Sequence, residues 1–551
     1  MEHEGFMEEI YRGILDGDRF FREADRGDEK KVREILERFD GLLKTWPSET
    51  IEEAGRIPRE MLDAMGKAGL FGISIPQAYG GLDLGLRDLV RVVDAVSEAD
   101  MSSALAFLAH LLIGVKAIDL YGTEEQKRKY LRPAAAGEMI FSYALTEPET
   151  GSDARHIRAT AELSQDGTHY VLNGVKTYIT NAGYAGGMTV FARTDPARPG
   201  VLGAFIVETA WEGVHIGKDM PKMGLKASST AMIRFKDVRV PMENRIGGPG
   251  EGFAIAMNVL NYGRLGLIAA SLGMARRSVR DMVERARSRI QFGRPIKDFE
   301  LIQEKIARCR VHQFVMEAMT DFTVPLLEGE RGGDPVIETS HCKLFGTTRA
   351  WDAAYDALQA AGGSGYISTQ PYEKRMRDFR VTTIFEGTTE IHSIYPALYA
   401  LGRLGKTVRT LSLGKRLRFL LREWVTSFCP RRWHLPVPAG APRRAVRLAR
   451  RLSGMIRRRL LFGIVVHRAK VMDKEYFLRR VTTLSLYLFG LLAVLSGMSA
   501  AGKTGRDPGE EKDFLSYFLE ETRETVRGNR RFADTAKERV AGRICRRLFG
   551  G

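Results

Sequence analysis

Ser142-Tyr-Ala-Leu-Thr-Glu-Pro-Glu-Thr-Gly-Ser-Asp153 and, after a short polar stretch, His169-Tyr-Val-Leu-Asn-Gly-Val-Lys-Thr-Tyr-Ile-Thr180 mark the place where the chain changes character. Upstream, from Ile57 to about Arg132, apolar residues recur with a helical period: Leu62, Met65 and Leu70 share one side, and Leu105 to Ile113 form a nearly unbroken apolar run suited to burial. Downstream of Phe141 the runs His169–Leu172, Val175–Thr180, Met188–Ala192, Gly203–Val207 and Met232–Phe235 are β-rich. Asn173-Gly174 lies between the first two and predicts a type I′ hairpin turn, because both residues tolerate positive φ. Short strands framed by helical blocks predict a mostly α protein with an inserted β-domain.

Working outward, residues 1–45 read as an N-terminal helical extension, 46–140 as an α-domain and 141–252 as the β-domain. Helical periodicity returns over 253–405, broken at Gly332-Gly333-Asp334-Pro335 and Gly362-Gly363, which predicts a helix bundle. Residues 406–465 turn basic, with Pro/Gly-rich punctuation from Trp433 to Pro442, and 466–551 read as a further helical domain. No internal repeat is evident.

The chain has 551 residues, too many for one ordinary core, and its 44% hydrophobic and 28% charged content excludes a disordered or fibrous molecule. Its net charge of +16 is localised: Arg403 to Arg480 hold 22 Lys+Arg against three acids, so the remainder sums to −3. Such a patch predicts an anionic partner surface. Within Arg443 to Val466, Val446, Leu448, Leu452, Met455, Ile456 and Leu460 keep helical spacing while Arg447, Arg450, Arg451, Arg457, Arg458 and Arg459 crowd elsewhere. That pattern predicts an amphipathic helix lying on anionic lipid, with a solvated helix packing on its own dimer partner as the plainer alternative. Nucleic acid is disfavoured, since neither interleaved aromatics nor a reading motif accompanies the arginines. Cys309, Cys342, Cys429 and Cys545 are scattered, without a C-x-x-C pair, so neither a disulfide framework nor a zinc site is expected. The acidic start lacks the features of a secretory or transit peptide.

Two tempting signals are weighed against plainer readings. Val481 to Gly502 carries no charge, yet Thr482, Thr483, Ser485, Ser496 and Ser499 dilute it, and a buried helix is preferred to a membrane span. Gly497 to Thr504 matches the phosphate-binding loop G-x-x-x-x-G-K-[ST], whose chemistry needs a helix starting at Lys-Thr. Gly505, Pro508 and Gly509 follow at once, so the match is set aside.

Two loops carry the chemistry. Ser142–Asp153 combines hydroxyls, a glycine and a proline, and suits a planar polar-edged ligand or a phosphate; a well-capped turn is its bland alternative. Ile384-Phe-Glu386-Gly-Thr-Thr-Glu390-Ile sets a carboxylate beside bulky apolar neighbours, where desolvation raises a carboxyl pKa and makes a general base. Helix capping is the commoner fate of such a glutamate.

Together these elements resemble the acyl-CoA dehydrogenase family over about residues 57–405. The matching motifs are Tyr-Ala-Leu-Thr-Glu-Pro-x-x-Gly-Ser-Asp (143–153), Asn-Gly-x-Lys-x-Tyr-Ile-Thr-Asn (173–181), Met-Gly-x-Lys-Ala-Ser (223–228), Arg-x-Gln-Phe-Gly-x-Pro-Ile (289–296) and Ile-Phe-Glu-Gly-Thr-Thr-Glu-Ile (384–391). Asn261-Tyr-Gly-Arg-Leu-Gly, Leu301-Ile-Gln-Glu-Lys-Ile-Ala-Arg and the extension beyond 405 are similar to the very-long-chain branch, which adds a helical domain and associates with membranes. The fold so implied is an N-terminal helical domain, a middle β-barrel or sheet domain, a C-terminal four-helix bundle and an additional helical C-terminal domain.

The resemblance implies FAD-dependent α,β-dehydrogenation of acyl-CoA to trans-2-enoyl-CoA, with Glu386 as α-proton base and the β-hydrogen leaving as hydride to flavin N5. The thioester oxygen would accept from the Glu386 N–H and a ribityl hydroxyl, an oxyanion-hole arrangement. By motif match Tyr143, Leu145, Thr146, Gly151 and Ser152 form the flavin loop, with Ser152 also facing the CoA arm. Tyr178, where many relatives carry tryptophan, and Thr180 meet the isoalloxazine. Arg289, Gln291, Phe292, Gln359, Gly363, Thr388 and Glu390 complete a cofactor shell shared with a neighbouring subunit, which implies a homodimer. Asn261, Arg264 and Phe385 lie beside the acyl-CoA, although structural ion pairing is nearly as good a reading of Arg264. Ser102, Ser103, Ala104 and Ala106 are small where an acyl tail could end, which favours long-chain substrates, while Phe107 and Leu108 narrow the same place. Electron-transfer flavoprotein is the expected acceptor; an oxidase using oxygen, or a membrane-complex assembly protein keeping this fold, are the alternatives. No metal is expected. A bacterial cytoplasm, with the protein peripheral on the inner face of the cell membrane, is the expected location.

Overall fold

The computed structural model describes residues 5–17, 27–195, 197–198, 200–428, 432–434, 443–503 and 509–550. Cys429, residues 435–442 of the Pro/Gly-rich punctuation, and Thr504 to Pro508 lie outside the described residues. The chain divides into two compact units: one comprises Asp25–Arg310 with Gly346–Thr388, the other Met1–Ala24, Val311–Phe345 and Thr389–Gly551.

The first unit is a sheet flanked by helices. Helix Leu86–Ala99 crosses the 37-residue helix Gly252–Ser288 closely. The crossing depends on Gly273, where an added Cβ would meet the Asp94 carbonyl oxygen at 2.2 Å, and it is bolted by Arg276 to the Asp94 carboxylate at 3.0 and 2.7 Å. Helix Met101–Ala109 starts on Asp100, whose side chain accepts from the Ser103 N–H, and every residue in it is buried, as its unbroken apolar composition requires. It runs into a π-turn, His110–Gly114. There His110 Nδ1 accepts the Phe141 N–H at 2.9 Å, and burial pushes its pKa down to about 4, which keeps the ring neutral and able to accept.

The eight-stranded sheet runs in the spatial order Val214–Ile216, Thr230–Pro241, His169–Thr180, Thr160–Leu163, Ala185–Arg193, Leu202–Glu208 and Arg245–Ile246, with Ile140–Ala144 parallel to Ala185–Arg193. Its core includes Leu172, Ile179, Met188, Val190, Phe205, Val207, Ile233, Phe235 and Val238. The predicted hairpin at Asn173-Gly174 is absent: His169–Thr180 is one strand, antiparallel to Thr230–Pro241, with a register shift between Leu172 and Gly174. The two residues make a bulge rather than a turn. Asn173 pairs with Asp237 through both its side-chain amide groups, and Gly174, at φ 141°, leaves room for Ala159, which a Cβ would approach to 2.6 Å.

Among its described residues the second unit is helical, apart from a parallel pairing of Ile14–Asp16 with Arg432–His434. Its centre is helix Glu475–Lys503, in which Leu484, Leu488, Phe489, Leu491, Leu492, Val494 and Leu495 are at most 1% exposed. By length and composition the helix could cross a membrane, as could Met101–Tyr121 and Gly252–Ser288, yet here its apolar window is 89% buried within the protein. Each fully buried leucine or phenylalanine is worth about 1.5–3 kcal/mol. Helices Thr389–Arg409, Arg443–Phe462 and Glu511–Gly528 pack on it. Gly497 to Lys503 are its last turns, so the phosphate-loop match sits where a helix ends rather than where one begins.

The amphipathic helix of the basic segment is real but arranged differently from the expected lipid-facing stripe. In Arg443–Phe462, Leu448, Leu452, Ile456 and Leu460 are buried inside the unit, with Val446 and Met455 half-buried. The arginines do not form one outer face. Arg447, Arg450 and Arg451 are exposed, whereas Arg457 is buried against Glu423, and Arg459 donates to the Asn529 and Arg530 carbonyls at 3.0 and 2.7 Å. The Glu423 carboxylate accounts for Arg457, and open carbonyls at the end of helix Glu511–Gly528 account for Arg459. The N-terminal residues Phe6, Met7, Ile10 and Tyr11 are also buried in this unit; Tyr11 hydrogen-bonds Ser485 at 2.5 Å, and the Met7 N–H donates to Glu338 at 2.7 Å.

Candidate active site

The glutamate loop is held in a costly conformation. The short turn Val381–Thr383 leads through Ile384 and Phe385 to Glu386 at φ 55° and Gly387 at φ 94°. A non-glycine residue in the left-handed region is strained, and such strain gathers at sites where geometry matters more than stability. The half-buried Glu386 side chain reaches helix Gly252–Ser288 at Gly263, where an added Cβ would lie 3.1 Å from Oε2 and 3.4 Å from Cδ. Glycine is thus what lets the carboxylate lie against the helix. One residue on, Arg264 is buried, and its Nη1 donates to Asn261 Oδ1 at 2.9 Å.

Tyr143 belongs to the same place. Its pKa is raised well above the ordinary phenol value by burial, then by the charge of Glu386, with Arg264 opposing. Its hydroxyl donates to the Ala256 carbonyl at 3.1 Å, which ties strand Ile140–Ala144 to the long helix. Ser142 Oγ donates to the Thr180 carbonyl and the Thr177 N–H donates to the Thr146 carbonyl, both at 2.9 Å, so the two predicted flavin segments lie side by side. Tyr178 projects from the end of its strand at φ 57°, 67% exposed. Gly151 and Ser152 are exposed, and Phe385 is half-buried. An open aromatic face beside a hydroxyl-lined loop fits the ring of a flavin.

Sequence reasoning missed the groups that fix this loop. Lys176 Nζ, wholly buried, donates to the Leu145 carbonyl at 2.9 Å and to Glu147 Oε1 at 2.8 Å. Glu147 also accepts the Arg158 and Ala159 N–H groups at 2.5 and 3.0 Å. Burial pushes the Lys176 pKa down to about 8, with the Glu147 charge opposing. The signal was a lysine inside one motif, on strand His169–Thr180, and a glutamate inside the loop motif before it. A similar device explains Met223–Ser228: the Leu225 N–H donates to Asp378 at 2.6 Å, Arg377 donates to the Met223 carbonyl at 3.1 Å, and Gly224 lies against the Arg377 backbone. That loop therefore grips helix Pro371–Arg380, which leads into the glutamate loop.

Most of the remaining predicted residues lie elsewhere. Arg289, Gln291 and Phe292 sit on a tight hairpin, Ile290–Gln291 with Arg294–Pro295, just past the end of the long helix. The helical rise puts about 36 Å between Arg264 and Ser288. Phe292 is 93% exposed at φ 51°. Gln359 and Gly363 are exposed and belong to this end, where Arg285 donates to the Ala361 carbonyl at 3.1 Å. Thr388 is half-buried, and Glu390 is exposed in the first turn of helix Thr389–Arg409. Ser102, Ser103, Ala104, Ala106, Phe107 and Leu108 are all buried. No group of three or more metal-ligating side chains occurs among the described residues.

A helical domain, a sheet domain and a helical domain meeting at one strained glutamate define an acyl-CoA dehydrogenase fold. Sequence profiles for that family's N-terminal, middle and C-terminal domains match residues 30–138, 142–238 and 250–395. The chain belongs to the acyl-CoA dehydrogenase family: oxidoreductases acting on a CH–CH bond with FAD. It is 32% identical over 540 residues to the human mitochondrial very long-chain specific acyl-CoA dehydrogenase, covering 93% of this chain and 82% of that one. An acyl-CoA dehydrogenase of Bacillus subtilis is 37% identical but covers only 64% of this chain. Among solved structures, an acyl-CoA dehydrogenase complexed with FAD from Bacillus anthracis superposes with a TM-score of 0.82 at 27% identity, covering 98% of this chain and 94% of its own. Butyryl-CoA dehydrogenase from Megasphaera elsdenii gives 0.64 at 31% identity, over 68% of this chain and all of its own.

Proposed function

We propose that the chain oxidises long-chain acyl-CoA to trans-2-enoyl-CoA, with Glu386 as the base that takes the α-proton. The observation that carries this reading is Glu386 at φ 55°, its carboxylate against Gly263 and its charge felt by Tyr143. When bound, FAD supplies the hydride acceptor for the β-hydrogen. Tyr143, Leu145, Thr146, Gly151, Ser152, Tyr178 and Thr180 would hold the flavin ring. The Glu386 N–H would take the thioester oxygen, and Asn261, Arg264 and Phe385 would border the acyl-CoA.

Arg289, Gln291, Phe292, Gln359, Gly363, Thr388 and Glu390 complete the cofactor shell in this reading. The span of about 36 Å between Arg264 and Ser288 supports a site shared by two copies, since one dinucleotide does not bridge it. Exposed Ile290, Phe292, Tyr366 and Ile367 in the same unit supply apolar surface for a homodimer. The long-chain preference rests on likeness to very long-chain specific relatives, and electron-transfer flavoprotein is the proposed acceptor. Segment 406–465 would meet an anionic membrane through helix Leu413–Thr426. There Leu413, Leu417, Leu421 and Val425 are 60–82% exposed, and Lys415, Arg418 and Arg422 are exposed beside them.

The test is anaerobic bleaching of the flavin band by palmitoyl-CoA and octanoyl-CoA. Rapid bleaching, faster with the longer chain, is expected. Glu386→Gln should keep the yellow cofactor and lose turnover, and normal turnover in that variant would remove Glu386 from the role of base.

A further inference from the structure

Helix Ala536–Leu548 is unlike the other helices of its unit: none of its residues is buried. Beyond its first turn, where Lys537 lies on the otherwise apolar side, its side chains at 100° per residue sort into two arcs. Val540, Ala541, Ile544, Cys545 and Leu548 occupy one, and Arg539, Arg543, Arg546 and Arg547 the other. Exposure rises along the apolar arc from 39% at Val540 through 52% at Ile544 to 76% at Leu548, with Phe549 at 86% just beyond. The one acid, Glu538, is already engaged: it closes a capping box with Thr535 and receives Arg480 at 2.9–3.2 Å.

The start of this helix is firmly anchored. Arg480 donates to the Arg531 and Ala533 carbonyls at 3.2 and 3.0 Å, and the Arg459 guanidinium lies 4.6 Å from the centre of the Phe532 ring. On the preceding residue, Arg458 donates to the Ser427 carbonyl at 3.0 Å and stacks 4.4 Å from the Phe428 ring, just past the end of Leu413–Thr426. One stretch of helix Arg443–Phe462 thus holds the end of the first exposed amphipathic helix and the beginning of the second.

We propose that helix Ala536–Leu548 is a second lipid-contact element. Its apolar arc and Phe549 enter the acyl boundary of an anionic bilayer, and Arg539, Arg543, Arg546 and Arg547 lie on the headgroups. The charge pattern selects lipid over a second copy of the chain, because a two-fold pairing through this face would bring the arginines of both copies together without an acid to meet them. The proposal rests on the membrane reading of segment 406–465. It adds to that reading a distinct helix, whose tether to the first makes the two act as a pair.

The experiment is co-sedimentation of the full-length holoenzyme with phosphatidylcholine vesicles, with and without phosphatidylglycerol. Four proteins are compared: the unaltered chain, V540S/I544S/L548S/F549S, R543Q/R546Q/R547Q, and L417S/L421S. Circular dichroism, flavin absorbance and light-scattering mass are followed in parallel. Both variants of the C-terminal helix should lose at least about tenfold in affinity for phosphatidylglycerol vesicles, with unchanged folding, flavin and mass. Unchanged binding by these two, while L417S/L421S binds weakly, overturns the proposal and leaves the first contact standing. A halved mass overturns it in favour of a copy-to-copy contact. Failure of the unaltered protein to bind any vesicle overturns both readings.

Discussion

Gly263→Ala puts the proposed base to a test that leaves its own side chain untouched. The new methyl would lie 2.9 Å from Ile113 Cγ2 and 3.1 Å from Glu386 Oε2, closer than side chains ordinarily pack. Ile113 is buried and has little room to yield, so the carboxylate must withdraw by several tenths of an ångström. Misplacing a catalytic group by about 1 Å costs on the order of 10² in rate. The smaller shift should slow the chemical step between about 10- and 100-fold. Stability should not follow the rate, because alanine in a helix interior gains about 1 kcal/mol over glycine, which offsets the crowding. The assay is anaerobic single-turnover bleaching at saturating palmitoyl-CoA, which isolates chemistry from reoxidation. The control is Gly266→Ala, one turn along, whose methyl would meet Leu112 and Leu108 at 2.6 and 3.0 Å, with Glu386 absent from its nearest contacts. Bleaching at the unaltered rate in Gly263→Ala, or equal slowing in the two variants, would refute the assignment of the base.

Lys176→Met removes one partner of a wholly buried pair and strands Glu147, which should cost about 3–5 kcal/mol in urea unfolding and loosen FAD. A change below about 1 kcal/mol would show that the pair does not hold the flavin loop. Glu338, whose pKa burial raises from 4.5 to about 8, binds a proton on folding between those values, so its contribution to stability falls as pH rises through that window. His341, pushed down to about 3 by burial, acts oppositely and only below its ordinary 6.5. Glu338→Gln should therefore flatten the stability profile between pH 6.5 and 8, and parallel profiles for the two proteins would contradict this.

The loops of the proposed site stand out in the sequence because most of their residue types are unusual inside regular elements. A glutamate before Gly387 and hydroxyls around Gly151 make poor helix or strand interiors, whereas Tyr178 suits a strand and stood out only through the motif around it. Burial of Val481–Ser499 was legible for a different reason: Thr482, Thr483, Ser485, Ser496 and Ser499 dilute an uncharged run that the protein itself then surrounds. What sequence could not supply was partner identity. Asn173-Gly174 satisfies a turn and a bulge equally well, and Asp237 across the sheet decided between them. The arginines of Arg443–Phe462 look alike in a line of letters, but a glutamate on the preceding helix and open carbonyls at Asn529 and Arg530 drew two of them inward. Lys176 escaped notice because its role is set by a carbonyl 31 positions away.

The long helix Gly252–Ser288 carries Arg264 near one end and delivers Arg289 at the other. If the adenosine end of each cofactor is gripped by the opposite copy, the two ends of this helix work for different catalytic centres. That arrangement has a genetic signature. A cell expressing a Glu386→Gln allele and an Arg289→Ala allele, each crippled alone, would assemble some mixed dimers in which one centre collects both defects and the other collects neither. Two failing alleles would then restore activity together, and the recovered fraction would report how freely the copies exchange.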